Sequence, residues 1–262
     1  MLNDFDITGK KVLITGAGRG IGKGIAFAMA EAGADVAVTS LGGDTAVAVA
    51  EDVRKLGRKG FGYASDATKV AEMEALRDRV FADLGGVDVL INNLGDAIRG
   101  TVSAMPGSEL HVLDEKDWHH VVDVNLTQAY AGCHVFGEHL LAKGAAASVI
   151  NITSFAALRP GANMVAYAAG KAGLMRFTES LALEWAPFRV RVNSIAPGTF
   201  PDAYAMSEED LAKRNADAGS SVPLGRLGHP REVGLMAVFL ASDAASYVTG
   251  QTFVIDGGRT LL

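Results

Sequence analysis

Lys11-Val-Leu-Ile-Thr15-Gly16-Ala-Gly-Arg-Gly20-Ile-Gly22 is an apolar run that breaks into glycines. It reads as a buried strand that leads through a tight loop into a helix over 21–32, ended by Gly33. A second strand over 35–39 follows, which completes a β-α-β unit and opens a parallel sheet. The alternation then continues along the chain. Helices are predicted over 47–56, 70–84, 117–141, 163–185 and 231–241, and strands over 60–64, 87–92, 147–152, 190–195 and 252–255. The expected fold class is α/β: a single doubly wound parallel sheet of about seven strands with helices on both faces. No internal repeat, low-complexity tract or linker interrupts the pattern, so 1–262 reads as one domain.

The glycines carry a ligand signal. The general dinucleotide spacing G-x-G-x-x-G fails in this register, because Ile21 stands where the third glycine is needed. The spacing that fits is Gly16-x-x-x-Gly20-x-Gly22. It does the same physical work, since glycines allow the turn and let backbone N–H groups at a helix N-terminus approach a pyrophosphate. An acid at the end of the second strand would bind the ribose 2′-hydroxyl of NAD. Here the run is Val38-Thr39-Ser40-Leu41, without a carboxylate, although Asp44 could reach back.

A third stretch, from Ser154 to Lys171, follows the apolar run Ser148-Val-Ile-Asn-Ile-Thr and runs into the 163–185 helix. Tyr167 and Lys171 are i and i+4 on that helix and share a face. A free phenol has a pKa near ~10, and an adjacent ammonium is expected to pull it toward working pH, making an acid/base. Ser154, at the end of the preceding strand, can donate to the same substrate oxygen.

Thr15-Gly16-Ala-Gly-Arg-Gly20-Ile-Gly22, Asn92-Asn93-Leu-Gly95, Asn125, Ser154, Tyr167-x-x-x-Lys171 and Pro197-Gly198 stand in the order and spacing of the short-chain dehydrogenases/reductases, and the chain resembles that family over 8–258. The resemblance implies hydride transfer between a nicotinamide and a carbonyl or secondary alcohol. Tyr167 is the implied acid/base, Ser154 holds the oxygen, Lys171 tunes the phenol, and Asn125 kinks its helix locally and holds a water in a proton relay. The implied cofactor contacts are Gly16, Arg19, Gly20, Ile21 and Gly22 on the loop, and Ser40 after the second strand. Asp66 is expected at the adenine amine, with Ala67 offering backbone. Asn93 and Gly95 lie by the ribose, Tyr167 and Lys171 by the nicotinamide ribose, and Pro197, Gly198 and Phe200 by the nicotinamide. A basic Arg19 and the missing acid favour NADP(H), with NAD(H) as the alternative. Relatives pair across the last strand and its preceding helix, which implies a homotetramer or homodimer.

Two positions depart from the family pattern. Leu94 replaces an alanine and asks for room near the adenosine, and Asp202 stands where a threonine is usual. The loops 96–114 and 200–221 are expected to shape the substrate pocket, the second as a lid with an N-cap at Ser207. Asp66 or Thr68 is expected to cap the helix over 70–84. Two other readings use the same sequence: an enoyl reductase on this scaffold, and a nucleotide-binding regulator without turnover. Intact Ser154, Tyr167 and Lys171 argue against the second.

Composition narrows the partners. Hydrophobic residues make up 49% of the 262 residues and the formal charge is −6, with a pI near 5.5. No basic block exists, which argues against nucleic acid and anionic membranes. Cys133 is the only cysteine, so no internal disulfide can form and a cytoplasmic location is expected. The N-terminus lacks a basic-then-apolar pattern and no apolar run would span a bilayer. The six histidines form no metal motif, so no metal dependence is expected. The substrate is a small carbonyl or alcohol.

Overall fold

The computed structural model describes residues 3–218 and 221–262. Strands β1 (Lys11–Ile14), β2 (Asp35–Ser40), β3 (Gly60–Ala64), β4 (Val89–Asn92), β5 (Ser148–Ile152), β6 (Arg191–Pro197) and β7 (Thr252–Ile255) form one parallel sheet in the order β3-β2-β1-β4-β5-β6-β7. The strand order reverses between β1 and β4, the switch point where a crevice opens beyond the strand C-termini. The central strands are buried on both faces, which is why they read as continuous apolar runs rather than alternating ones.

Helices cover the sheet: α1 (Gly20–Glu31), α2 (Asp44–Lys55), α3 (Val70–Leu84), α4 (Glu115–Val122), α5 (Gln128–Lys143), α6 (Val165–Trp185), α7 (Glu208–Ala218) and α8 (Pro230–Ala241). One core gathers Val12, Ile14, Ile25, Met29 and Ile195 on one face of the sheet; the other gathers Leu13, Leu76, Leu90, Phe136 and Val192 on the opposite face. Helices α1 and α8 pack backbone to backbone. A Cβ at Gly24 would lie 2.5 Å from the Pro230 carbonyl carbon, and one at Gly234 would lie 2.7 Å from the Gly24 carbonyl oxygen.

Boundaries differ from expectation where side chains recruit backbone. Helix α2 begins at Asp44 rather than 47, because Ser40 Oγ accepts the N–H groups of Gly43 (3.1 Å) and Ala46 (3.3 Å). The predicted helix over 117–141 starts earlier, at Glu115, behind a capping box in which Asp114 accepts the Asp117 N–H at 2.7 Å. It is also broken by a π-helical turn over Asp123–Thr127. The cap of α3 falls on neither Asp66 nor Thr68 but on Lys69, without a side-chain bond. The Asp66 carboxylate instead accepts from the Thr68 N–H (3.0 Å) and hydroxyl (2.7 Å), closing an Asx turn. Ser207 does cap α7, accepting the Asp210 N–H at 3.1 Å. Gly219 and Ser220 of the expected lid lie outside the described residues.

Candidate active site

The crevice holds a cavity of about 1360 Å³ lined by the ends of β1, β4, β5 and β6. A second cavity of about 310 Å³ lies beside the ends of β2 and β3. Gly16, Leu94 and Val124 line both.

The glycine loop forms the floor between β1 and α1. Gly16 and Gly20 have φ of +62° and +53°, in the left-handed region that glycine tolerates. The loop is fixed from behind. Asn93 Nδ2 donates to the carbonyls of Thr15 (3.2 Å) and Gly16 (2.9 Å), and the Gly16 N–H donates to Thr39 Oγ1 at 3.2 Å. Helix α1 starts after Arg19 without a side-chain cap, so its first N–H groups face the cavity with no capping side chain. An anion of pyrophosphate type fits this cradle. A Cβ at Gly22 would lie 2.6 Å from both Ala17 Cα and Asn93 Nδ2. Gly22→Ala is therefore expected to destabilise the protein by about 1–3 kcal/mol, through overpacking. It should also weaken nicotinamide cofactor binding at least tenfold, read by thermal melts and by fluorescence titration.

The predicted cofactor contacts divide in space. Gly16, Arg19, Gly20, Ile21, Gly22, Asn93, Gly95, Pro197, Gly198, Phe200, Tyr167 and Lys171 line the large cavity. Ser40 and Asp66 line the smaller one, with Lys69 and His120, which the sequence reading did not single out. Ala67 lines neither; its side chain is fully buried in the core. Asp44 lines neither. Thr39 also lines the smaller cavity, and its buried hydroxyl accepts the Gly16 N–H. Leu94 finds its room at Gly16, where a Cβ would sit 2.8 Å from the leucine Cδ1.

Ser154, Tyr167 and Lys171 converge on the same cavity. Helix α6 is held in position by a buried chain: Asn92 Nδ2 donates to Asn151 Oδ1 (2.8 Å), Asn151 Nδ2 to Thr178 Oγ1 (2.9 Å) and Thr178 to the Leu174 carbonyl (2.8 Å). Lys171 is 2% exposed and bridges two strand ends, donating to the carbonyls of Ile152 (2.8 Å) and Leu94 (3.0 Å). Its Nζ lies 6.0 Å from the centroid of the Tyr167 ring. Asn125 sits behind, inside the π-helical turn. Its Nδ2 donates to the carbonyls of Asp96 (2.6 Å) and Val121 (2.8 Å), and its buried Oδ1 has no donor among the described residues. A Cβ at Gly95 would lie 3.1 Å from Lys171 Nζ and 3.2 Å from Asn125 Oδ1, so the two groups face one small space.

The electrostatics correct the sequence reading. Burial pushes the Tyr167 phenol up, and the nearby Ser154 hydroxyl offsets only part of that. Burial pulls Lys171 down to about 7. Desolvation penalises both charged forms, and the lysine spends hydrogen bonds on carbonyls. The protein alone therefore keeps Tyr167 a neutral phenol at pH 7.

The outer pocket also differs from expectation. Of the loop 96–114 only Asp96, Ala97 and Arg99 line the cavity. The rest folds on itself, with the Thr101 N–H donating to the His111 carbonyl (2.8 Å) and the Leu113 N–H to the Thr101 carbonyl (2.9 Å). From the 200–221 segment Phe200, Asp202 and Ser221 reach the lining. Asp202 Oδ1 is buried without a donor among the described residues. Arg259, missed by the sequence reading, enters from the C-terminal turn. Its only forewarning was the Asp256-Gly-Gly turn after the last strand. Asp256 accepts the N–H groups of Gly258 (2.8 Å) and Thr260 (2.7 Å), which folds the tail back.

Cys133 is buried and its thiol is pushed up to about 12 by desolvation. Among the described residues no group of three His, Cys, Asp or Glu is placed to hold a metal ion. No helix of those residues is long and apolar enough to cross a membrane.

A family model described as enoyl-(acyl carrier protein) reductase matches residues 16–260. The 2-dehydro-3-deoxy-D-gluconate 5-dehydrogenase of Escherichia coli (strain K12) is 33% identical over 258 residues, which covers 98% of each chain. The 3-oxoacyl-(acyl-carrier-protein) reductase FabG of Chlamydia pneumoniae is 36% identical over 257 residues, covering 98% of this chain and 99% of that one. A solved short-chain type dehydrogenase/reductase from Mycobacterium marinum has a TM-score of 0.86 at 32% identity, covering 100% of this chain and 99% of that one. Matches of this extent take in the glycine cradle, the Ser154–Tyr167–Lys171 cluster and the whole sheet between them: the chain belongs to the short-chain dehydrogenase/reductase family of NAD(P)-dependent oxidoreductases.

Proposed function

We propose that the whole chain, 1–262, acts as one cofactor-binding unit that interconverts a small carbonyl and its secondary alcohol, with NADP(H) preferred. The observation that carries this reading is the convergence of Ser154, Tyr167 and Lys171 on the one cavity that the glycine cradle opens into. Bound nicotinamide supplies the hydride in reduction and takes it in oxidation. The protein's own part is the proton and the oxygen. Tyr167 gives its phenolic proton to the carbonyl oxygen as negative charge develops there, and Ser154 donates to the same oxygen. Two donors aimed at one oxygen support carbonyl chemistry over enoyl reduction. Lys171, when charged, favours the phenolate that remains. Asn125 Oδ1 lacks a donor and faces the space beside Lys171 Nζ, which supports a water bridging the two and returning the proton.

Cofactor choice rests on Thr39-Ser40-Leu41 at the end of β2, a run that carries no carboxylate, and on Arg19 at the cavity edge. With NADPH and NADH followed at 340 nm against ketones, aldehydes, oxo acids and an enoyl thioester, carbonyl reduction with NADPH should have at least tenfold higher kcat/KM than with NADH. Arg19→Met should remove about tenfold of that preference, as expected for loss of one charge-assisted phosphate contact. Enoyl turnover without carbonyl turnover would overturn the reaction, and an unchanged ratio in Arg19→Met would overturn the role of Arg19. We further propose a cytoplasmic homo-oligomer. Support comes from exposed large apolar side chains on two faces: Trp118, Tyr130 and Leu183 on α4–α6, and Leu235 and Val254 on α8 and β7.

A further inference from the structure

The outer part of the large cavity is basic in an acidic protein. Five basic side chains line the cavity against two acidic ones, while the chain carries a formal charge of −6. Arg19 and Lys171 belong to the cofactor and proton machinery. The remaining three, Arg99, Arg159 and Arg259, come from three separate segments: the turn after β4, the loop after β5 and the C-terminal turn. The clustering of such groups at one cavity focuses a positive potential where a substrate enters.

Arg259 is the best fixed of the three. Its guanidinium lies 4.7 Å from the Phe155 ring centroid, and its Nη1 donates to Thr199 Oγ1 at 2.5 Å. These contacts come from the loops after the neighbouring strands β5 and β6, and together they hold the guanidinium in place. Arg159 Nη1 donates to the Thr260 carbonyl at 3.0 Å and so ties the same C-terminal turn to the pocket wall. Each guanidinium keeps further N–H donors, since only one nitrogen of each is committed to these bonds. Phe155 directly follows Ser154 in the chain. Arg259, Ser154 and Tyr167 line the same cavity, so a group bound by Arg259 shares that cavity with the oxygen that Ser154 and Tyr167 would hold.

We infer that the substrate is a short oxo acid, or the matching hydroxy acid, whose carboxylate is held by Arg259 with Arg159 and Arg99 completing the basic wall. This rests on the reading above that Ser154 and Tyr167 address the reacting oxygen. A planar carboxylate matches the paired N–H donors of a guanidinium held over a ring, which a point charge would not reproduce.

The test compares short oxo acids with their methyl esters, and with ketone phosphate esters of similar length, in wild type, Arg259→Lys and Arg259→Gln. The acid should exceed its ester at least 100-fold in kcat/KM in wild type. The ratio should fall at least tenfold in Arg259→Gln, mainly through KM, with Arg259→Lys recovering only part. Equal use of acid and ester, preference for the phosphate ester, or a ratio that survives Arg259→Gln would each overturn the inference. Calorimetric titration of malonate into the cofactor-loaded protein reads the same site without turnover. Saturable binding that weakens at least tenfold in Arg259→Gln supports it, and absence of binding overturns it. If malonate binds as expected while no carbonyl is reduced, the anion site stands and the oxidoreductase reading above falls. If neutral ketones are reduced without acid preference, only the carboxylate inference falls.

Discussion

Tyr167→Phe is expected to lower kcat by about 10²- to 10⁴-fold, the range that a positioned general acid supplies. The structure makes this a clean change. The phenol is mostly buried in the cavity wall that it shares with Ser154, so phenylalanine keeps the packing and removes only the proton donor. Cofactor affinity, measured by fluorescence titration, should stay within about threefold, because the pyrophosphate cradle is built elsewhere, on residues 16–22. Ser154→Ala should cost about 10²- to 10³-fold, the scale of losing one donor to a developing oxyanion. The pH profiles carry a sign. Burial raises the tyrosine, so reduction, which needs the neutral phenol, should be sustained through neutral pH and decline only in the alkaline range. Alcohol oxidation needs the phenolate and should rise as pH increases. A Tyr167→Phe enzyme with wild-type kcat would remove the phenol from the mechanism.

The sheet was legible because parallel strands covered on both faces leave an unmistakable trace: short apolar runs such as Lys11–Ile14 and Ser148–Ile152 that end in small or polar residues. The cradle and the Ser154–Tyr167–Lys171 cluster were legible for a related reason. Each is a local spacing whose geometry is set by one loop or one helix. What the sequence hid depends on contacts between distant segments. The kink at Asn125 was implied by resemblance alone; its form, a π-helical turn whose amide reaches the Asp96 carbonyl across the fold, is recorded in no helical periodicity. Arg259 becomes a pocket residue only because Asp256 curls the tail toward Thr199 and Phe155. The tyrosine was misread in sign for the same kind of reason. The i, i+4 spacing of Tyr167 and Lys171 can be read from sequence, but the desolvation that raises the phenol and lowers the lysine depends on how deeply the two side chains are buried.

Lys171→Met should abolish most activity and, independently, change how stability depends on pH. In the folded protein the lysine is pulled down to about 7 by burial, whereas in the unfolded chain it titrates near 10.5. Between those values the unfolded state binds the extra proton, so wild-type stability should rise with pH across this window, by about 1 kcal/mol per pH unit. The penalty of burying the ammonium is fully present below pH 7 and is relieved above it. Methionine is close in length and carries no proton, so this slope should vanish in the variant. The cost at neutral pH comes from the other side: the carbonyls of Ile152 and Leu94 lose their donor, at about 1–3 kcal/mol each. Urea melts of both proteins at pH 6, 7, 8 and 9, without cofactor, separate the two effects, because the carbonyl term is independent of pH and the lysine term is not. Parallel stability curves for wild type and Lys171→Met would mean that the amine is charged throughout. In that case the ammonium would be present at every working pH, and the phenolate left on Tyr167 after proton transfer would always have a cation beside it. A slope lost in the variant instead means that the protein holds this lysine at the edge of ionisation, so that a small electrostatic change at the nearby ligand site is enough to charge it.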